Sequence, residues 1–416
     1  MTLAAAGEAA PSGSSKKLWL ALFAATTIWT LLQIPLGLDD VRLARGYETM
    51  TVARNLAVSG QFRDPYALPT GLTAHVPPVY ASMIALLYRV FGMNSVPATL
   101  LLIAMNACLL GAAAAFLPLL SVSVYGTRGP GIAGAILLAS SSRLMPQHDA
   151  ALAALLLILA AMAILKSAPL IAGVWSGVTI LANPVSLAAL VIMAARRNRR
   201  FAAIVTAVAL VICTPWIVRN WVAVGAPYFI RDNLGLELYV SNNDRAEAEL
   251  VANAGSLMEM HPTQLVQEAR LVSKLGEGAY NRLRLADAAK WMLRHPARFV
   301  QLSGERAFHY WLPSSIEGWQ AHLYFFLVPV AAIGAWVGRT NRTAVTLGMC
   351  AVVYSLPFVF IQTDIRYSFP MFWVPATLAG YAVWELAARR AWPNMRRDAK
   401  SRQRVRQELR AARRKR

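Results

Sequence analysis

Four polar clusters that carry carboxylates, histidines and arginines lie beside the long apolar runs of this chain. Carboxylates and imidazoles exchange protons, guanidinium groups bind anions, and side-chain amides bind hydroxyl groups. Such groups crowded on one face of a membrane indicate a site at that interface. The clusters are Asp39-Asp40 through Glu48 to His75, then Gln147-His148-Asp149, then Arg219-Asn220 with Asn242-Asn243, and last Asp364 through Arg366-Tyr367.

The elements that must position these clusters are predicted to be membrane helices. Of the 416 residues, 57% are hydrophobic and only 15% are charged, and the mean hydropathy is +0.44. A soluble chain of this length needs a more polar surface, so we expect an all-α polytopic membrane protein. Its cysteines lie in apolar runs, which is typical of structural thiols, and no Cys/His spacing indicates zinc. They are Cys108, Cys213 and Cys350.

About ten transmembrane helices are predicted, within a range of about eight to twelve. The first run follows Lys16-Lys17 and lacks a small-residue cleavage site, so we interpret it as a retained span. Two short candidates are separated by Asn183-Pro184, which allows a tight hairpin or a partly re-entrant pair. Clear candidates are 18–38, 96–119, 149–166, 201–219, 319–338, 343–361 and 367–388; weaker ones are 130–146, 168–182 and 184–195.

The distribution of basic residues sets the predicted orientation. With Lys16-Lys17 in the cytoplasm and alternating spans, nearly all of the +20 net charge falls on the cytoplasmic side. Both termini are then cytoplasmic, and the polar loops lie outside. The basic tail is predicted to lie on anionic lipid headgroups, with a nucleic-acid arm as the less favoured alternative.

The predicted regions follow from this topology. Interfacial helices are expected in the first outer loop, and further helices at 262–276 and 281–309, the latter broken at His295-Pro296. The regions are a cytoplasmic tail (1–17), an N-terminal transmembrane core (18–219) with the first outer loop at 39–92, a large outer loop (220–318), C-terminal transmembrane helices (319–388) and a basic cytoplasmic tail (389–416).

Two motif groups and a late Arg-Tyr pair carry a resemblance to a known family. The first outer loop reads A-x-N-L, G-x-F, TA, P-x-Y and FG between Ala53 and Gly92. The segment from Pro215 to Asn243 reads PW-x-x-RN, then G, N-x-G, L and NN. Over residues 18–388 this order resembles the GT-C class of integral-membrane glycosyltransferases, in the superfamily of protein O-mannosyltransferases and the aminoarabinose transferase, and within it an uncharacterised bacterial branch.

The resemblance implies an enzyme that moves a sugar, with inversion, from a polyprenyl-phosphate donor to an envelope lipid, glycan or protein. It implies a bacterial inner membrane, a periplasmic active site and no nucleic-acid partner. Candidate catalytic carboxylates are Glu48 first, then Asp149, Asp40 and Asp39. Candidate donor phosphate ligands are Arg366, Tyr367 and Arg219, and candidate substrate contacts are His75, His148, Asn220, Asn242 and Asn243. No metal ligand is assigned; Mg²⁺ or Mn²⁺ is optional, near Asp39-Asp40 or His148-Asp149.

Structural alternatives remain open at these positions. Glu48 could pair with Arg54, Asp149 could cap the helix that follows it, and Arg219-Asn220 could form an elbow that leaves the membrane. The sequence also departs from the family, because Arg45-Gly46 stands where many members carry an Asp-Glu pair. A catalytically inactive lipid-binding or assembly protein is therefore the first alternative. A secondary transporter is the second, although the spans carry few central charges.

Overall fold

The computed structural model describes residues 13–33, 48–93, 95–141, 149–314 and 319–391. Across these ranges the chain is helical, and its extended pairing consists of the isolated bridges Arg63–Leu72 and Glu249–Thr363. The α-helices are α1 Gly13–Gln33, α2 Glu48–Ser59, α3 Pro78–Phe91, α4 Val96–Tyr125, α5 Gly129–Ser140, α6 Ala150–Leu165, α7 Pro169–Ala182, α8 Ser186–Ala195, α9 Arg199–Val224, α10 Leu234–Ser241, α11 Ala254–Met260, α12 Val266–Leu275, α13 Glu277–Arg294, α14 Pro296–Trp311, α15 Trp319–Val337, α16 Arg342–Ser355, α17 Ile365–Ser368 and α18 Trp373–Ala391.

Each of the ten predicted spans coincides with a helix: α1, α4 to α9, α15, α16 and α18. By length and hydropathy, three stretches of the described chain are able to cross a membrane: Val96–Tyr125, Arg199–Val224 and Arg342–Val359. Six apolar helices are shorter: Pro78–Phe91, Gly129–Ser140, Ala150–Leu165, Pro169–Ala182, Ser186–Ala195 and His322–Val337. A membrane location follows, while the count of ten spans stays a prediction.

Local sequence signals set the ends of the long helices. The Ser95 hydroxyl accepts the Ala98 amide at 3.1 Å at the start of α4, and Asn198 accepts the Phe201 amide at 2.8 Å at the start of α9. Both helices end at a glycine with positive φ, Gly126 and Gly225. These are the cap residues that satisfy free amides at one end and reverse the chain at the other.

Small residues allow the helices to pack closely. Gly173 and Gly177 of α7 face α9, where an added Cβ would lie 2.5 Å from Val208 and 2.7 Å from Ile212. Glycine at this four-residue spacing brings two helix backbones into contact without side chains between them. Helices α7 and α9 therefore pack closely against each other.

Helices α7 and α8 are too short to reach across a bilayer. At about 1.5 Å per residue, they measure about 21 and 15 Å, against a hydrocarbon core of about 30 Å. Their connection at Asn183-Pro184 is the predicted interruption, and the Asn183 amide donates to the Tyr354 hydroxyl at 2.8 Å. This turn lines the cavity described below.

The region of residues 226–314, named the outer region after its predicted side of the membrane, packs on the first outer loop. Tyr66 of that loop joins a small apolar core with members of α10, α12 and α13. The predicted helices of this region are present as α12, α13 and α14, and His295-Pro296 separates the last two. Inside the region, the fully buried Arg306 donates to the Asn242 side chain and to the carbonyls of Ser241 and Phe360. That guanidinium joins α14 to the end of α10 and to the segment that follows α16.

Candidate active site

A cavity of about 760 Å³ lies where the first outer loop, the α7–α8 turn, the end of α16 and the outer region meet. Its size suits a small-molecule or lipid-headgroup ligand. Its ionisable lining comprises Glu48, His75, Asp149, Arg231, Glu237, His261 and Arg366, with Tyr80, Tyr354 and Tyr367. Three of the four predicted clusters therefore contribute to one site.

Glu48, His75 and His261 form a compact group on one wall. Glu48 is the first residue of α2, and its carboxylate lies 4.0 Å from His75 Nε2 and 3.6 Å from His261 Nε2. One ligand atom from each residue lies within 4.8 Å of the others. Both histidines are buried, with 2% and 5% of their surface exposed.

The histidine rings are oriented by hydroxyl groups on their far side. His75 Nδ1 lies 2.9 Å from the Tyr66 hydroxyl, and His261 Nδ1 lies 2.7 Å from Thr263 Oγ1. Burial, and then the charge of Arg231 and the neighbouring His261, hold the pKa of His75 well below its usual range. A neutral imidazole whose other nitrogen is hydrogen-bonded is the form that binds metals.

This donor set fits a divalent transition metal. Two imidazole nitrogens and one carboxylate are ligands of zinc sites with an open position, whereas Mg²⁺ and Mn²⁺ prefer oxygen. The sequence predicted an optional cation near Asp39-Asp40 or His148-Asp149, and these residues are not members of the group formed by Glu48, His75 and His261. Of those four, only Asp149 is described; Asp39, Asp40 and His148 lie outside the described residues.

Asp149 and Arg366 are brought to the same cavity, as the sequence predicts. Asp149 precedes α6, and its side chain caps none of the α6 amides, so its carboxylate is available to the cavity. The guanidinium groups of Arg366 and Arg231 are close enough to act on its charge. Asp364 caps α17 by accepting a hydrogen bond from the Arg366 amide at 2.9 Å. The Arg366 guanidinium donates to the Tyr367 hydroxyl at 3.1 Å.

The remaining predicted residues lie outside the cavity lining and hold loops together. Arg219 donates to the carbonyls of Thr73 and Phe62, and Asn220 donates to the Ile230 carbonyl at 3.2 Å. Asn242 and Asn243 donate to carbonyls at the end of α10, at 2.9 Å each. These contacts agree with the elbow alternative for Arg219-Asn220. Direct contact of these residues with phosphate or sugar stays a prediction.

The sequence motifs that carry the family resemblance contact one another in the structure. Asn55 of A-x-N-L donates to the carbonyls of Arg63 and Asp64, while the arginine of PW-x-x-RN holds the G-x-F and TA segments. Gly235 of N-x-G packs on α13, where a Cβ would overlap the Asn281 carbonyl. The motifs therefore join the first outer loop to the region after α9, and this junction is one side of the cavity.

Among the residues of the site that were not predicted from the sequence are Arg231, Asp232, His261 and Glu277. Arg231 and His261 line the cavity, and the two carboxyl groups lie buried behind it. The available signals were weak. His261 precedes a proline in a polar loop, and Arg231-Asp232 precedes the N-x-G motif.

The fold of the chain is similar to that of a solved structure, the archaeal oligosaccharyltransferase AglB from Archaeoglobus fulgidus in complex with an inhibitory peptide and a dolichol-phosphate. The TM-score is 0.51 at 14% sequence identity, over 92% of this chain and 52% of AglB, so this chain spans about half of the AglB length. At this identity, the likeness is one of fold. No protein-family model and no curated protein matches the chain.

Proposed function

We propose that the protein is a GT-C-type glycosyltransferase that moves a sugar from a polyprenyl-phosphate donor to an envelope lipid, glycan or protein. The observation that carries this proposal is the cavity at the ends of apolar helices, where the carboxylates of Glu48 and Asp149 share a space with the guanidiniums of Arg231 and Arg366. The fold likeness to AglB, whose structure holds a dolichol-phosphate, supports the same class of donor. The proposed active face is periplasmic, in a bacterial inner membrane.

The proposed reaction is a single displacement. The acceptor hydroxyl attacks the anomeric carbon, the carbon–oxygen bond to the carrier phosphate breaks, and a carboxylate takes the hydroxyl proton. Arg366 and Arg231 neutralise the charge that develops on the departing phosphate. Attack opposite the leaving phosphate inverts the anomeric centre.

Two carboxylates compete for the role of base. Glu48 is the first candidate from the sequence, but its position between His75 and His261 equally suits it as a metal ligand. When Glu48 holds a cation, Asp149 is the carboxylate available to the acceptor, because it makes no cap hydrogen bond. A zinc ion held by Glu48, His75 and His261 would supply fixed positive charge at the cavity wall.

The alternative is a catalytically inactive GT-C-like protein that binds a lipid carrier or assembles with envelope enzymes. It is favoured by Arg45-Gly46 at the usual Asp-Glu position, which lies outside the described residues. Both proposals place the carrier phosphate at the arginines. They differ in whether the sugar leaves the lipid.

The test follows sugar loss from the lipid. Purified protein is incubated with radiolabelled polyprenyl-phosphate sugars, with and without an envelope extract, alongside Glu48→Gln, Asp149→Asn and Glu259→Gln. Glu259 is exposed and pairs with Arg245, so its variant is a matched control. We expect extract-dependent loss that Glu259→Gln retains and at least one of the other variants abolishes. Lipid binding without sugar loss across a broad donor panel would instead favour the inactive protein.

A further inference from the structure

The segment of residues 73–75 carries His75 into the cavity wall and is held at every backbone amide. The Thr73 amide donates to the Phe62 carbonyl at 3.1 Å, and the His75 amide donates to Thr73 Oγ1 at 2.9 Å. Between them, the Ala74 amide donates to Glu277 Oε1 at 2.6 Å, and Thr73 Oγ1 donates to Glu277 Oε2 at 2.5 Å. One carboxyl group, 203 residues away along the chain, therefore binds this segment twice.

The three carbonyls of the segment are held as well. Arg219 donates to the Thr73 carbonyl, the Asp232 amide donates to the Ala74 carbonyl at 3.3 Å, and Arg231 Nε donates to the His75 carbonyl at 2.7 Å. All six backbone polar groups of residues 73–75 thus have a partner. Such complete pairing fixes the position of a segment that belongs to no helix.

Behind the segment, Asp232 and Glu277 form a buried carboxyl pair. They are 5% and 4% exposed, and neither carboxylate oxygen of Asp232 accepts a hydrogen bond from an amide, guanidinium or hydroxyl group of another described residue. Its hydrogen-bonding neighbour is Glu277, and two carboxyl groups bond to each other only when one carries a proton. Burial first, and then the charge of Glu277, raise the pKa of Asp232 to about 9. The pair accordingly keeps one proton at neutral pH.

We propose that Asp232 and Glu277, joined through one shared proton, form a positioning unit that holds residues 73–75 and thereby directs His75 toward Glu48 and His261. This positioning unit orients one ligand of the cation site in the proposed function, and its chemical role rests on that proposed function. Asp232 supports Glu277, Glu277 holds Thr73 and Ala74, and these residues place the His75 ring. Outer groups that orient metal-binding histidines typically change metal affinity by about 10- to 100-fold when removed.

The test compares four variants of the purified full-length chain. Asp232→Ala and Glu277→Ala remove the pair, whereas Asp232→Asn replaces the shared proton with an amide N–H to Glu277. Glu268→Ala is the matched control. Glu268 is another largely buried carboxylate of the outer region, and its hydrogen bonds, at 2.6 Å, go to Tyr280 and Arg284 and not to residues 73–75.

Two readouts are measured on each variant. Co²⁺ affinity is measured by calorimetry, with its visible spectrum as a report on the ligand geometry. Hydrogen–deuterium exchange of a peptide that contains residues 73–75 reports on the segment without metal. We expect Asp232→Ala and Glu277→Ala to weaken Co²⁺ binding by about 10- to 100-fold and to accelerate exchange. Asp232→Asn should stay close to wild type in both, and Glu268→Ala should lower the unfolding temperature alone.

Wild-type exchange and affinity in both alanine variants would overturn the positioning unit, as would an equal loss in Glu268→Ala. If the wild-type protein binds no Co²⁺, the cation site of the proposed function fails. The exchange data then decide the positioning role separately. Faster exchange in the alanine variants, with slow exchange in Asp232→Asn, supports it, and unchanged exchange rejects it.

Discussion

The buried pair of Asp232 and Glu277 makes the stability of the outer region depend on pH in a defined direction. The Asp232 carboxyl has an ordinary pKa of 3.8, and burial with the nearby charge of Glu277 raises this pKa to about 9 in the folded protein. A raised carboxyl pKa means that the folded chain keeps a proton that the unfolded chain has released. Its stabilising effect is complete below about pH 4 and is lost as the pH rises toward about 9.

The expected magnitude follows from one retained proton. The free energy of unfolding falls by about 1.4 kcal/mol for each pH unit in this window, which gives about 3 kcal/mol between pH 6 and pH 8. Two nearby arginines favour the ionised carboxylates: Arg231 lowers the pKa of Asp232, and Arg219 lowers the pKa of Glu277. Both pKa values stay raised because the effect of burial is larger. The nearby hydroxyls of Tyr66 and Tyr228 stay neutral, because burial raises the pKa of both.

The assay is thermal unfolding of the purified protein from pH 6 to pH 8. The wild-type midpoint should fall as the pH rises. Asp232→Asn cannot ionise at this position, so its stability should fall with pH less steeply, by about 1.4 kcal/mol per pH unit. Relative to the wild type, the variant should therefore be more stable at pH 8 than at pH 6. Asp244→Asn, at an exposed aspartate bonded to Trp291, is the matched control and should keep the wild-type slope. An unchanged slope in Asp232→Asn, or a wild-type midpoint that rises with pH, would show that Asp232 does not retain a proton in the folded protein.

Four further variants test other parts of the structure. Arg366→Gln should weaken binding of a polyprenyl phosphate by about tenfold or more, whereas Arg282→Gln, at an exposed arginine of α13, should not; equal binding would remove Arg366 from the phosphate site. Gly177→Ala should destabilise the protein by about 1–3 kcal/mol because its Cβ would meet Ile212 at 2.7 Å. Gly348→Ala, with open space around its Cβ, should stabilise α16 by about 0.5–1 kcal/mol. Stability changes of the same sign in Gly177→Ala and Gly348→Ala would contradict the packing. Arg306→Met leaves the buried Ser241 carbonyl and the Asn242 side-chain oxygen without this donor and should cost about 3 kcal/mol or more, measured by thermal unfolding beside Arg282→Gln.

The helices could be predicted from the sequence because apolar runs and cap residues are local signals. The run at 96–119 is α4, extended to Gly126, where a positive φ ends it. The run at 343–361 is shorter as an α-helix, because α16 ends at Ser355 and a 3-10 turn with Pro357 follows. Proline lacks the amide that the helix interior needs, so this boundary moved inward.

The site could be predicted only in part, since its contacts join distant segments. Glu48, Asp149 and Arg366 were recognisable as polar residues beside apolar runs, and the cavity contains all three. His261 meets His75 across 186 residues of chain, and no local pattern encodes such a contact. Glu277 lies in a helix that reads as solvent-exposed by composition, yet its carboxyl group faces the buried segment at Ala74. Long-range pairing of loops is what the sequence left undetermined.

A cryo-electron microscopy structure of the protein in lipid nanodiscs with a polyprenyl phosphate tests the proposed carrier site most directly. The proposed function predicts phosphate density in the cavity, within hydrogen-bond distance of the Arg366 and Arg231 guanidiniums, with the prenyl chain leading toward the apolar helices. Phosphate density bound elsewhere on the protein, or a cavity that excludes the lipid at saturating concentration, would contradict it.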